Sequence, residues 1–577
     1  MAAVERKSRR TVADRVADSV TASEPVAVPS LRSLLGGLIG VVAQGGGLAR
    51  ETTALGAELG RILLGTSEVA PTAGDRRFAD PTWSENPYYR RLAQFYLAWG
   101  GSMSRLVDNL ESRGQDWHRV ELARFATGIL VSALAPTNAL ASNPAALKRI
   151  YETGGKSLLR GLRNWIDDAR HNGGMPSQVD RGVFQVGRDL AVTPGAVVAR
   201  DAVAELIQYQ PSTPQVHSRP LLIVPPPIGR YYFLDLRPGR SFVEYAVSRG
   251  LTVFMLSWRN PQPEQGGWDL DTYSRRIIDA IESVSEIAGS EDINVIGFCA
   301  GGILSTTALN HLAAESRPLV HSMSYSVTLL DFGVPAPIGA FSSSAVLDLA
   351  RRSSRRKGVI DARSMGGVFT WMRPDDLVFN YWVNNYLMGE KPPAFDILAW
   401  NADGTNLPAA LHGQFLDIFA NNNLCTPGRL SVLGSPVDLS TITVPTFVTG
   451  AVTDHLTPWK GCYQTTQLLG GESTFVLSSA GHIASLVNPP GNPKATYHLG
   501  GRPGVDPEVW LAGADRHTGS WWEPWGDWVT ARAGTQRPAP EVLGSRRHRP
   551  LEAGPGLYVR DLEPPTTPRR RRSAVAG

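Results

Sequence analysis

The chain has 577 residues, 42% of them apolar and 19% charged, a composition that supplies a large hydrophobic core and excludes a wholly disordered protein. Its net charge of +4 is matched by residues 541–577, which carry eight Arg against four acidic residues. The body is therefore electrically balanced and offers no broad nucleic-acid-binding face, and its three cysteines make no disulfide framework and suit a reducing cytoplasm.

Residues 1–30 read as a flexible leader: polar, charged, broken by Pro25 and Pro29, without the apolar core of a signal peptide. The longest early apolar stretch, Leu34 to Ala43, is interrupted by Gly36, Gly37 and Gly40. It reaches about half of the roughly twenty apolar residues a spanning helix needs, so no transmembrane segment is expected. Residues 31–200 are expected to form an N-terminal helical domain. Leu31, Leu34, Leu35, Leu38, Ile39 and Val42 recur at helical steps, as do Leu55, Leu59, Ile62 and Leu63. After a connector from Pro71 to Pro87, the stripe Tyr88, Tyr89, Leu92, Phe95, Tyr96 and Trp99 has helical spacing and reads as core or interface.

Beyond Arg200 short apolar runs alternate with amphipathic stretches. The runs are Pro220 to Val224, Thr252 to Ser257, Ile293 to Ile296, Met323 to Leu330, Val444 to Thr449 and Thr474 to Ser478. Such alternation predicts an α/β domain over 201–534, a mostly parallel sheet with helices on both faces. An aromatic-rich, strand-poor block at about 335–435 reads as an insertion over the carboxyl ends of the strands, where open α/β sheets bind ligands. Residues 535–577, rich in Pro and Arg, read as a flexible tail whose Arg569 to Arg572 form a solvated charge run.

The chemistry concentrates at Gly297-Phe298-Cys299-Ala300-Gly301-Gly302. A predicted strand precedes it and a helix-compatible run follows, the setting of a nucleophile elbow with Cys where lipases and esterases place Ser. The glycines clear room for a tight turn that lifts the thiol above the sheet, and the Ala300 N–H can help hold an oxyanion. A thiol needs a base, and the base needs an orienting partner. Asp454 follows one later predicted strand and His482 the next, which fits the chain order nucleophile, acid, His. His455, directly after Asp454, competes as the base. A second oxyanion donor is expected from the loop after the early strand, at the N–H of Ile228 or Gly229.

These residues carry a resemblance. The chain is similar to polyhydroxyalkanoate synthases over roughly Phe78 to Tyr558. The motifs are GFCAGG (297–302), YYFLDL (231–236), SWRNP (257–261), NYWVNNYLMGEKPPAFDILAWNADGTNLPAALH (380–412), TDHLTPW (453–459) and SAGHIASLVNPPGNP (479–493). The resemblance implies an α/β-hydrolase fold with a lid insertion and an N-terminal helical domain. It also implies an acyltransferase that polymerises (R)-3-hydroxyacyl-CoA into polyester through a Cys-bound thioester. It assigns Cys299 as nucleophile, His482 as base and Asp454 as its partner, with His455, Asp235 and Trp400 in supporting positions. No cofactor or metal is implied. The partners implied are the acyl-CoA substrate, the growing polyester, a second copy in a homodimer and granule-associated proteins, with a cytoplasmic location at the surface of polyester granules. The N-terminal region resembles single-subunit forms, and RRFADPTWSENPYYRRL (76–92) is similar to forms favouring medium-length side chains. One departure stands out. The family loop usually reads Pro-Pro-Trp-Ile-Asn, whereas this chain has Pro227-Ile228-Gly229, so any oxyanion contact there falls to a backbone N–H. An acyl-CoA thioesterase or polyester depolymerase of the same fold is the alternative.

Overall fold

The computed structural model describes residues 47–180 and 182–563. The leader, the Leu31 to Val42 periodicity and the Arg569 to Arg572 run lie outside these residues. The chain forms two compact units. One comprises Met1–Val183, Pro335–Arg356 and Ile360–Ala402; the other comprises Phe184–Val334, Lys357–Val359 and Asp403–Gly577.

The first unit is helical. Its described helices include Leu48–Leu64, Pro87–Glu111, Trp117–Ala133 and Lys156–His171. Pro87 opens its helix at the position that needs no N–H, and the Asn86 side chain accepts from Tyr88 N at 2.9 Å. The aromatic stripe is core in part: Tyr96 joins Phe78, Trp83 and Ala93 in a buried cluster with Tyr89, Leu92 and Trp99 packed against it, whereas Tyr88 is exposed. Pro335–Arg356 and Ile360–Ala402 join these helices through specific contacts. Arg77 pairs with Asp375 at 2.9 Å, Tyr386 donates to the buried Asp168 at 2.8 Å, and Phe125 meets Phe341 edge-on at 5.0 Å.

The expected division of the chain is thus corrected in two places. The block at 335–435 splits: Pro335–Arg356 and Ile360–Ala402 belong with the N-terminal helices, and Lys357–Val359 and the residues from Asp403 belong with the sheet. The helical domain ends at Val183 rather than residue 200, because Gly195–Arg200 is a strand of the main sheet. Linear spacing carries no sign of pairings between segments some 200 residues apart.

The second unit is built on a sheet. Its strands are β1 (Gly195–Arg200), β2 (Ala204–Tyr209), β4 (Leu221–Val224), β5 (Val253–Trp258), β6 (Ile293–Phe298), β7 (Val320–Ser326), β8 (Thr446–Ala451), β9 (Ser473–Ser478), β10 (Thr496–Leu499), β11 (Asp515–Thr518) and β13 (Glu552–Ala553). A short β3 (Gln215–His217) and β12 (Gln536–Pro538) pair separately. The order across the sheet is β11-β10-β9-β8-β7-β6-β4-β5-β2-β1-β13. From β9 to β5 all neighbours are parallel, and antiparallel strands extend both edges. Every residue of β4, β5, β6 and β8 is buried, as expected of parallel strands covered on both faces. These are the runs that apolar patterning predicts. β11 is polar and wholly exposed at one edge, which explains why hydrophobic patterning passes over it.

The C-terminal region is ordered well beyond residue 535, contrary to the tail expected there. β12 pairs with β3, and β13 pairs with β1. Leu557 and Tyr558 donate their N–H groups to the fully buried Glu205 carboxylate at 3.1 Å. Pro-rich composition argues against helix, but such a segment can still be held by ladder bonds and charged groups supplied from elsewhere.

Candidate active site

β6 runs into Cys299, whose φ of 50° and ψ of −124° make the sharp turn into the helix Ala300–Ala314. A positive φ costs a non-glycine residue about 1–3 kcal/mol and persists only where the surroundings enforce it. The flanking glycines show how. A Cβ on Gly301 would lie 2.3 Å from Val224 O, one on Gly302 would lie 2.3 Å from Thr328 Oγ1, and one on Gly297 would lie 2.6 Å from Gly302 Cα. Only bare backbone lets helix and strand approach so closely. The Cys299 carbonyl accepts from Gly302 N at 2.9 Å and Thr328 Oγ1 at 3.1 Å, and its N–H donates to Ser326 O at 2.9 Å. The half-buried side chain thus stands at a helix N-terminus. There the Ala300 N–H, at the first helical position, has no intrahelical acceptor ahead of it and the helix dipole favours negative charge.

Asp454 and His482 follow the carboxyl ends of β8 and β9. Asp454 is buried with both oxygens occupied. Oδ1 accepts from Leu456 N at 2.8 Å and Thr457 N at 2.9 Å, and Oδ2 accepts from Thr457 Oγ1 at 2.7 Å. The His482 Nδ1–H also donates to Oδ2, at 2.7 Å. Nδ1 also lies 3.1 Å from Thr457 Oγ1, and the Cys299 side chain acts on the same imidazole. Burial works against the imidazolium, but the Asp454 carboxylate and the Cys299 sulfur outweigh it and push His482 up to about 10. Burial also opposes the Asp454 charge, yet His482 and Thr457 hold that carboxyl below its ordinary range. The set can store a proton on the imidazole while leaving a sulfur nucleophile beside open N–H donors.

Comparison with known proteins places this geometry in context. Residues 74–246 match the family described as the poly-beta-hydroxybutyrate polymerase (PhaC) N-terminus, and residues 237–489 match the alpha/beta hydrolase fold. Poly(3-hydroxyalkanoate) polymerases 1 and 2 of Ectopseudomonas oleovorans are each 46% identical, over 89% of this chain and 91% of their own length. The poly(3-hydroxyalkanoate) polymerase subunit PhaC of Cupriavidus necator is 41% identical over 86% of this chain and 85% of its own. The chain belongs to the poly(3-hydroxyalkanoate) polymerase family.

The other expected site residues of this polymerase relative fall differently. The bond to Asp454 is made by His482; His455 sits half-buried beside it. Gly229 has a φ of 89°, and its N–H is taken up by Thr405 Oγ1 at 2.8 Å. Of the two donors expected on that loop, Ile228 is therefore the one left for an oxyanion. Asp235 is fully buried, and the partners of its side chain are not Asp454 or His482. It accepts from Thr193 Oγ1 at 2.5 Å and Ser241 Oγ at 2.8 Å, while its Oδ2 has no hydrogen-bond partner. Burial pushes its carboxyl up to about 6. Trp400 is a buried residue of the helix Asp396–Asn401 in the first unit.

Sequence reasoning missed Thr457, Thr328 and Thr405. Thr457 had a signal, since an acceptor side chain three residues ahead of Thr is the spacing of a turn in which Asp collects nearby N–H groups. Thr328 and Thr405 had none, because both act on backbone distant in sequence. Among the described residues, no helix is long and apolar enough to cross a membrane.

Proposed function

We propose that this chain polymerises (R)-3-hydroxyacyl-CoA thioesters into polyester, releasing CoA, with the acyl group carried on Cys299. Support for the reading comes from the Asp454–His482 hydrogen bond and from Cys299, whose sulfur acts on that same imidazole, in a protein whose curated relatives bear the polymerase name. His482 holds the proton of Cys299 and the sulfur attacks the thioester carbonyl. The resulting oxyanion lies against the N–H groups of Ala300 and Ile228. CoA leaves with the proton from His482, and the neutral imidazole is again a base. It then takes the proton of the 3-hydroxyl of a second acyl-CoA as that oxygen attacks the Cys299 thioester. The sulfur departs as thiolate beside the imidazolium, and the lengthened chain, now on CoA, returns to Cys299 with release of CoA. Asp454 fixes the imidazole and stabilises its charged form.

A location at the polyester surface fits the helix Lys156–His171, on which Leu158, Leu159, Leu162 and Trp165 are exposed alongside Arg160 and Arg163. Such a face suits an apolar, interfacial surface.

The test is CoA release from 3-hydroxyacyl-CoA, followed with a thiol reagent. Cys299→Ala should reduce release to background, and substantial turnover in that variant contradicts the assignment. The same assay separates polymerase from hydrolase: sedimenting polyester is expected, whereas free hydroxy acid as the main product indicates transfer to water.

A further inference from the structure

The loop that carries Ile228 is made of residues poorly able to hold themselves. Pro225, Pro226 and Pro227 have no N–H to donate, yet the loop begins against the elbow, with Val224 O and Pro225 O filling the space beside Gly301. Its anchors come from elsewhere. Trp258 Nε1 donates to Pro225 O at 2.8 Å. Thr405 Oγ1 donates to Pro227 O at 3.2 Å and accepts from Gly229 N at 2.8 Å.

Past the pivot at Gly229 comes Arg230, a guanidinium only 6% exposed. Its Nε pairs with Asp403 Oδ1 at 2.8 Å and its Nη2 with Asp561 Oδ2 at 2.6 Å. Nη1 donates to Tyr558 O at 3.3 Å. The second Asp403 oxygen accepts from Tyr232 at 2.9 Å. Asp561 in turn belongs to a segment that is bolted down: Leu557 and Tyr558 bond to the buried Glu205, and Arg259 stacks over the Tyr558 ring at 5.4 Å while pairing with Glu563.

We propose that Arg230 is a positioning residue for the acyl-transfer reaction. Held between Asp403 and Asp561, it lets the C-terminal segment Leu557–Asp561 fix the loop that aims the Ile228 N–H at the reacting carbonyl. The proposal rests on the functional reading above and goes beyond it, by making the end of the chain part of the oxyanion site. A guanidinium suits the task, since its fork meets both Asp561 oxygens through Nη1 and Nη2 while Nε lies in an ion pair with Asp403.

The experiment uses the full chain with Asp561→Asn, Asp561→Glu and Arg230→Gln. Two rates are read on each: CoA release from 3-hydroxyacyl-CoA, and alkylation of Cys299 by iodoacetamide. Alkylation requires the nucleophile and its base but builds no oxyanion. Loss of a single oxyanion donor typically costs about 10²–10³ in kcat, and a mispositioned donor is expected to cost about 10- to 100-fold. Asp561→Asn should lower kcat by that factor with KM within about twofold and alkylation unchanged, and Asp561→Glu should restore at least half of kcat. Arg230→Gln should lower kcat further in the same pattern. Unchanged kcat in Asp561→Asn overturns the proposal, as does a parallel fall in alkylation, which would mean that the elbow itself had been disturbed. The Asp561 side chain is 47% exposed, so its variants are expected to fold, and thermal melts of each verify this. Failure of the functional reading looks different: wild-type protein then alkylates at Cys299 yet releases no CoA.

Discussion

The two sides of the site are built in opposite ways. On the side of the proposed nucleophile a single hexapeptide, Gly297 to Gly302, joins β6 to its helix and does the work. Its glycines remove the atoms that would collide with Val224, Thr328 and one another, and the strained Cys299 backbone follows from that local packing. On the oxyanion side the loop Pro225–Gly229 contributes little to its own placement and takes its shape from Trp258, Thr405, Asp403 and Asp561. A site can thus be half local and half assembled. The local half is open to a reader of the sequence, and the assembled half emerges only with the fold.

Removing the local half should have the largest effect. Cys299→Ala is expected to abolish CoA release, a loss of at least about 10⁴ in kcat, by analogy with other nucleophile deletions in triads. Asp454→Asn should cost about 10²–10⁴, with a signature of its own. The charged form of His482 is favoured in the folded state, so its contribution to stability is complete below about pH 6.5 and is lost as the pH rises toward about 10. In Asp454→Asn that decline in stability should shift to lower pH and shrink, as measured by thermal melts between pH 6 and 10. An unchanged pH profile would detach Asp454 from His482.

On the assembled side the effects are smaller and separable. Thr405→Val removes the hydroxyl that bridges Gly229 N–H and Pro227 O. About a tenfold fall in kcat is expected, with Cys299 alkylation unaffected; a collapse of alkylation would erase the contrast between the two sides.

A second pair of aspartates sharpens the same lesson. Asp454 and Asp235 are both buried and both fall in recognisable motifs. Asp454 meets backbone donors, a hydroxyl and an imidazole, whereas Asp235 meets two hydroxyls and keeps one oxygen unpartnered. With its carboxyl raised to about 6, the folded state retains the proton more strongly than the unfolded chain. Asp235 therefore contributes full stability below about pH 4, and that contribution is lost as pH rises through about 6. Asp235→Asn mimics the protonated form and should flatten this decline, gaining about 1–3 kcal/mol over wild type at pH 8, with little change in kcat. Equal melts at both ends of the pH range would contradict it.

The least effect is expected from Cys462, a fully buried thiol whose Sγ approaches Thr457 O at 3.5 Å. Cys462→Ala should cost about 1–2 kcal/mol of stability and less than about twofold in kcat.

The sequence made the parallel core legible because buried parallel strands are continuous apolar runs; it made Cys299, Asp454 and His482 stand out as candidates because each lies within a few residues of such a run's end. It misled at β1, where the expected helical domain gives way to sheet, and at residues 536–563, where composition reads as a flexible tail and paired strands are found. β1 pairs with the adjacent β2 at the antiparallel edge of the sheet, whereas the C-terminal segment depends on partners hundreds of positions away: Glu205 for Tyr558, β1 for β13. The division of residues 335–435 between the two units has the same cause. Gly229 shows the limit within the site itself, since a donor that looked open in the sequence is occupied by Thr405.

The central claim is that the acyl group rides on the sulfur of Cys299. Turnover with a 3-hydroxyacyl-CoA, quenched in acid within the first cycles and followed by mass analysis of the digested protein, tests it directly. The peptide containing Cys299 should gain the mass of one or more 3-hydroxyacyl units, labile to hydroxylamine. Polymer formation with that peptide unmodified, or with the acyl group on another residue, would contradict the account.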